Sequence, residues 1–152
     1  MVEIMINAEV AENLKRQHIK HELMDMTYYK SRQDWLEEKI ARLDHKLSGA
    51  IPGFRFGQGG ESSAYARDSW IATALAEQEE LQEEKADVDR RLGNIYDMLG
   101  YLDTEQYAAV YTYVCLHSCT DAEGCVEQLE LRNTKALHRL IETSISVICE
   151  NV

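Results

Sequence analysis

Proline occurs once in this chain, at Pro52, and tryptophan and phenylalanine occur twice each. With a single proline, little interrupts long helices, and the Ala/Leu/Glu/Lys-rich stretches favour them. Long apolar runs are also missing: none approaches the roughly 18 residues that a membrane helix needs. The opening residues, MVEIMINAEVAEN, are acidic and lack a basic segment followed by an apolar core, so no secretory signal and a cytoplasmic location are expected. Positive charge is scarce, with 16 Lys and Arg against 27 Asp and Glu and a formal net charge of −11. Apolar residues at 45% and charged residues at 28% argue against wholesale disorder.

Motifs of catalysis are lacking too. The stretch GFRFGQGG is glycine-rich but has no GK[ST], so no phosphate-cradling loop is expected. No nucleophile–base set stands out, and neither enzymatic activity nor a cofactor is expected. Cys115, Cys119, Cys125 and Cys149 are the only cysteines, and no C-x₂-C pair occurs. Cys115-x-His117-x-Cys119 with Cys125 nearby invites a zinc reading, but on a helix His117 would point away from the two thiols. Reduced, mostly buried thiols and no metal are the expectation.

Periodicity is present in abundance. Met26, Tyr29, Gln33, Leu36, Ile40, Leu43 and Leu47 step alternately by three and four residues. Ile71, Ala74, Gln78, Leu81, Lys85, Val88, Leu92, Ile95, Leu99 and Leu102 do the same. These are heptad seams with Gln33, Gln78 and Lys85 as polar interruptions. Between them, residues 49–66 hold Pro52 and five of the eight glycines, which predicts a connector. Two such helices joined by a loop fold back most simply as an antiparallel coiled-coil hairpin. A further helix is predicted over 8–24, with Val10, Leu14, Ile19 and Leu23 apolar. The Glu run at 77–84 reads as a solvated face, and Phe54 and Phe56 beside Arg55 read as loop residues packing back on the hairpin.

The last third reads as three short helices. Asp103 is placed to cap a helix over Thr104–Leu116, with Ala108, Tyr111 and Cys115 on one face. Thr120 with Glu123 forms an S/T-x-x-E pattern and predicts the next start. That helix runs to about Leu129. After a turn over Glu130–Asn133, Asn133 or Thr134 caps a third helix reaching Ile148, with Ala136, Leu140 and Val147 as the expected buried stripe. The expected fold class is therefore all-α, with a hairpin domain over 1–102 and a helix-turn-helix domain over 103–152. Beyond residue 91 the only Lys and Arg are Arg132, Lys135 and Arg139, in one eight-residue window that also holds His138. Eight acids share residues 101–152 with them. A helix-turn-helix shape is also used as a plain packing unit, so the spacing alone leaves DNA contact open.

The order of these segments resembles a known family. A helix bearing TYYKSRQDWLEEKIARLDHKL, a glycine-rich break, a heptad helix, and then LDTEQYAAVYTYV leading into a helix-turn-helix is similar to the RinA/ArpU-type phage late-transcription regulators, over roughly residues 25–150. Their C-terminal part is similar to region 4 of bacterial sigma factors. Leu102, Asp103 and Gln106 match the family's opening segment, and Leu129, Leu131, Ala136 and Leu140 match its apolar anchors. Glu130 stands where the family pattern has a turn glycine, so a left-handed glutamate is expected there.

The resemblance implies a DNA-binding transcription regulator in which Arg132, Lys135, His138 and Arg139 meet double-stranded DNA. A homodimer, with the hairpin as its contact, is expected because it doubles the scarce basic surface and suits a two-fold operator, and RNA polymerase or another host protein is a further expected partner. Composition supports a rival from another class: an acidic phage protein whose carboxylates imitate DNA and occupy a host nucleic-acid enzyme, as an anti-CRISPR protein or polymerase inhibitor does.

Overall fold

The computed structural model describes the backbone of residues 2–50 and 61–152 and the side chains of residues 7–49 and 69–152. Among the described residues all regular structure is helical: α1 (Val2–Met24), α2 (Met26–Ala50), α3 (Glu61–Gly100), α4 (Thr104–Ala109), a π-helical segment (Val110–Leu116), α5 (Ala122–Gln128) and α6 (Thr134–Asn151). None of these helices is long and apolar enough to cross a membrane. A single residue, Asp25, separates α1 from α2, and its N–H still reaches the carbonyls of His21 and Glu22 at 3.1 and 3.3 Å.

The expected connector over 49–66 is shorter at both ends. Residues 49–50 belong to α2 and residues 61–66 to α3. The glycine cluster ends at Gly60, and the sequence ESSA that follows has no helix breaker. Residues 51–60, with Pro52, Phe54, Arg55 and Phe56, lie outside the described residues.

The chain divides into two compact units, Lys30–Arg90 on one hand and Met1–Tyr29 with Arg91–Val152 on the other. This differs from the division at 102/103 expected from the sequence. The first helix and the last turns of α3 belong with the C-terminal helices, because that is where they bury apolar side chains.

In the unit 30–90 the buried positions fall on the heptad seams. Leu36, Leu43 and Leu47 are buried on α2, as are Ala74, Leu81 and Val88 on α3. Gln33, Gln78 and Lys85 are half-buried, as polar side chains in an apolar seam must be if they keep contact with water. The two helices run in opposite directions. Arg32 pairs with Glu84 at 2.6 Å, Lys39 with Glu77 at 3.9 Å, and Gln78 donates to Asp44, so residue numbers rise on one helix as they fall on the other.

The polar interruptions converge on Asp89. Its carboxylate accepts from Gln33 Nε2 at 2.6 Å and from Lys85 Nζ at 2.9 Å, while Glu37 lies 3.9 Å from the same ammonium. The hydrogen bonds from Lys85 and then Gln33 hold the Asp89 carboxyl below its usual range. The bond to Asp89 likewise holds the Lys85 ammonium above its usual value.

In the other unit the core is built from Ile19 and Leu23 of α1, Ile95 and Leu99 of α3, the π-helical segment, Cys125, and one face of α6. Only half of the expected α1 stripe is buried: Val10 and Leu14 are 50% and 61% exposed. Arg91 Nη1 donates to Tyr29 Oη at 2.9 Å and ties the start of α2 to the end of α3 within this unit.

A lowered carboxyl pKa stabilises the fold above the unfolded value, about pH 4. That contribution is lost as pH falls through the lower folded value. The raised Lys85 acts oppositely, contributing below about pH 10.4 and fading as pH rises through its folded value. The Lys85 and Asp89 side chains are 31% and 39% exposed, so screening keeps the effect small. Asp89→Asn should lower the melting temperature at pH 7 by about 2 °C. Melting curves from pH 7 to pH 2 should show the gap between variant and wild type closing as Asp89 protonates; a constant gap would contradict the pairing.

Candidate nucleic-acid interface

The C-terminal helices are fixed in sequence order by caps and by one buried tyrosine. Asp103 caps α4 as expected: Gln106 N–H donates to Asp103 Oδ1 at 2.7 Å, and Asp103 N–H donates to Gln106 Oε1 at 3.1 Å. The helix then widens into the π-helical segment, VYTYVCL. Its β-branched and aromatic residues are poor helix formers, and Val110, Thr112, Tyr113, Val114 and Cys115 are buried there.

The segment ends in a turn with three non-glycine residues in the left-handed region: Ser118 (φ 50°), Cys119 (φ 62°) and Asp121 (φ 57°). Each such residue costs roughly 1–2 kcal/mol, so tertiary bonds must hold the turn. Tyr113 supplies two of them. Its carbonyl accepts from Cys119 N–H at 2.9 Å, and its hydroxyl donates to Cys119 O at 3.0 Å. Burial pushes the Tyr113 phenol above its usual pKa. Burial also raises the Cys119 and Cys125 thiols.

The expected cap of the next helix is displaced by one residue. Asp121, not Thr120, accepts from Gly124 N–H at 3.2 Å, while Thr120 Oγ1 donates to His117 O at 2.5 Å. Gly124 explains the choice. A Cβ at that position would overlap the Asp121 carboxylate, so glycine alone lets the aspartate close over the helix start.

At its other end α5 closes in a Schellman turn. Leu131 N–H donates to Val126 O at 2.9 Å and Glu130 N–H to Glu127 O at 3.2 Å, with Glu130 left-handed at φ 56°. Asn133 then caps α6 by accepting from Ala136 N–H at 2.8 Å.

The buried face of α6 consists of Leu137, Ile141, Ser144, Ile145 and Ile148. The expected stripe of Ala136, Leu140 and Val147 is only half-buried and lies one residue round the helix. Both lines have helical spacing, but the observed one carries the larger side chains and removes more apolar surface from water.

That rotation sets the outward face. Lys135 and Arg139 are each two residues from Leu137, about 200° round the axis, and both are exposed. Arg132 and His138 are exposed as well, and the His138 ring meets Tyr113 edge-on at 5.8 Å. Among the described residues, no carboxylate pairs with Arg132, Lys135 or Arg139. Glu142, one turn beyond Arg139, is held by Arg16 of α1 at 2.6 Å instead.

This use of α1 has no obvious signal in the sequence. Arg16 also donates to Ser146 Oγ at 2.6 Å, and Lys15 Nζ donates to the carbonyls of Cys149 and Val152 at 2.9 Å each. A cation on the last carbonyls of a helix complements its dipole. α1 thus covers the C-terminal half of α6 and leaves the first two turns open. Glu127 and Glu130 are exposed beside the turn, so the local cationic excess is small.

The cysteines are buried (Cys115, Cys125) or half-buried (Cys119, Cys149). Among the described residues no group of three His, Cys, Asp or Glu side chains is placed to hold a metal ion. No family model, curated protein or solved structure matches the chain.

The left-handed glutamate yields a direct prediction. Glu130→Gly removes the Cβ penalty at φ 56° and keeps both turn bonds. It should stabilise the fold by about 0.5–1 kcal/mol in denaturant titration, the strain relief exceeding the entropy cost of glycine. Destabilisation by Glu130→Gly would mean that the side chain, not the backbone, holds the turn.

Proposed function

We propose that this chain is a DNA-binding transcription regulator of the phage late-regulator kind, with α5 and α6 acting as a helix-turn-helix and α6 as the reading helix. The observation that carries the proposal is the exposed ridge of Arg132, Lys135 and Arg139 at the start of α6, with which no carboxylate pairs among the described residues although Glu127 and Glu130 are exposed beside it. The N-terminal turns of such a helix are the part that meets base edges and phosphates. In this reading Lys135 and Arg139 face the groove, Arg132 takes a phosphate from the turn, and His138 sits at the edge. Three cations neutralise few phosphates, so a single copy binds modestly and with strong salt dependence. Two copies double the basic surface and suit a two-fold operator.

The acidic face of α3 supports a second reading. Glu79, Glu80 and Glu83 are exposed and, among the described residues, unpaired. A protein that imitates the charge of DNA and blocks a host nucleic-acid enzyme would present such a face.

Gel retardation of a duplex at two salt concentrations separates the two readings. The first expects retardation at low salt that weakens steeply as salt rises. In an Arg132/Lys135/Arg139 triple-alanine variant the slope of log affinity against log salt should become shallower by about 2–3. Retardation unchanged in that variant, or none by the wild type, would remove the interface.

A further inference from the structure

One face of the unit 30–90 carries both signs of charge in two separate stripes. On α2, Arg32, Trp35, Lys39, Arg42 and Lys46 are spaced by three, four, three and four residues and therefore line one flank of the helix. On α3, Trp70, Glu77, Glu80, Glu84 and Asp87 line a flank in the same way. The pairs Arg32–Glu84 at 2.6 Å and Lys39–Glu77 at 3.9 Å place the two flanks side by side on the same face. A cationic ridge thus runs along an anionic one.

Trp35 and Trp70 are the only tryptophans in the chain, and they are 41% and 42% exposed on this face. Arg32 stacks over the Trp35 ring at 4.2 Å and Lys39 lies 4.9 Å from its centroid. An open groove of about 760 Å³ follows the cationic ridge and is lined by Trp35, Glu38, Lys39, Arg42, Lys46 and Glu77, with Arg42 paired to Glu38 within α2. Lys46 and Glu80 have no partner among the described residues, so the internal pairs leave charge of both signs unsatisfied.

We propose that this two-signed face is the surface on which a second copy of the chain docks, forming a four-helix dimer through α2 and α3. A nucleic acid is a poor occupant, because Glu77 and Glu84 sit beside the cations and repel phosphate. A second copy supplies both signs.

Symmetry then selects the arrangement. A two-fold axis in the contact plane and perpendicular to the helices lays α2 on α2 and α3 on α3, like charge on like. An axis parallel to the helices lays each α2 on the other copy's α3, antiparallel and at equal height. Lys39 and Arg42 of one copy then meet Glu77 and Glu80 of the other, twice over. The cationic stripe is about 21 Å long and two helices are about 20 Å wide, so roughly 400 Å² is covered per copy. At roughly 800 Å² in total that is below the roughly 1,000 Å² of a stable specific interface, and it fits a weak, salt-sensitive dimer. The proposal does not depend on DNA binding, and its test contains no DNA.

Sedimentation velocity of the full chain reads it. The wild type should dimerise with rising concentration, and its dissociation constant should rise at least about tenfold between low salt and about 0.5 M salt. R42E/K46E and E77K/E80K should each weaken self-association at least about tenfold while circular dichroism shows unchanged helix. An equimolar mixture of the two variants should recover a 1:1 dimer, because both cross-contacts are then attractive. Tryptophan emission should shift to shorter wavelength as the wild type associates. A wild type that stays monomeric, a dimer that survives both reversals or ignores salt, or a mixture that does not re-associate would each overturn the proposal.

Discussion

Burial of the Leu137–Ile141–Ile145–Ile148 face is the constraint from which the rest of the C-terminal structure follows. Once that stripe is packed against α1, α4 and α5, the rotation of α6 about its axis is fixed. The cations two residues away then have no choice but to face water. A rotation by one residue would carry the less bulky Ala136–Leu140–Val147 line inward instead. The exposed ridge is therefore a consequence of apolar packing, and no ion pair is needed to set it up.

Charge is distributed with the same economy. Glu142, one turn beyond Arg139, is bound by Arg16, and Glu77 and Glu84 are set against Lys39 and Arg32. On α3, Glu79, Glu80 and Glu83 face solvent, and further exposed carboxylates lie on the other helices. The net charge of −11 is thus uneven at short range, and over a Debye length of about 8 Å the local pattern matters more than the total. The left-handed residues Ser118, Cys119, Asp121 and Glu130 flank α5 on both sides, so its placement is held by Tyr113, the Asp121 cap and the Schellman turn rather than by its seven residues alone.

Much of this was legible in the sequence where one periodicity dominates. The heptad spacing identified the buried positions of α2 and α3, including the half-buried Gln33 and Lys85. The Asp103 cap, and Asn133 as one of two candidates for the α6 cap, followed from residue type and spacing, while the left-handed Glu130 followed from the glycine of the family pattern that the sequence resembles. Failure came where two patterns compete. Residues 136, 137, 140, 141, 147 and 148 are all apolar, so α6 offers two stripes, and only the volume of the core decides between them. Thr120 and Asp121 both satisfy a capping pattern, and the lack of a Cβ at Gly124 settles it. The π-helical segment was not foreseen, because poor helix formers such as Val110, Thr112 and Tyr113 mark many helices that keep the ordinary width. The docking of α1 on α6 was hidden because its agents are Lys15 and Arg16, charged residues that a sequence reading assigns to solvent.

The proposed DNA-reading surface is the outward ridge at the start of α6. Titration of the isotopically labelled protein with a duplex, followed by amide chemical shifts, tests this most directly. Perturbations confined to residues 130–142, saturating with added DNA, are the predicted result. Shifts centred on α2 and α3, or no shifts at low salt, would contradict it.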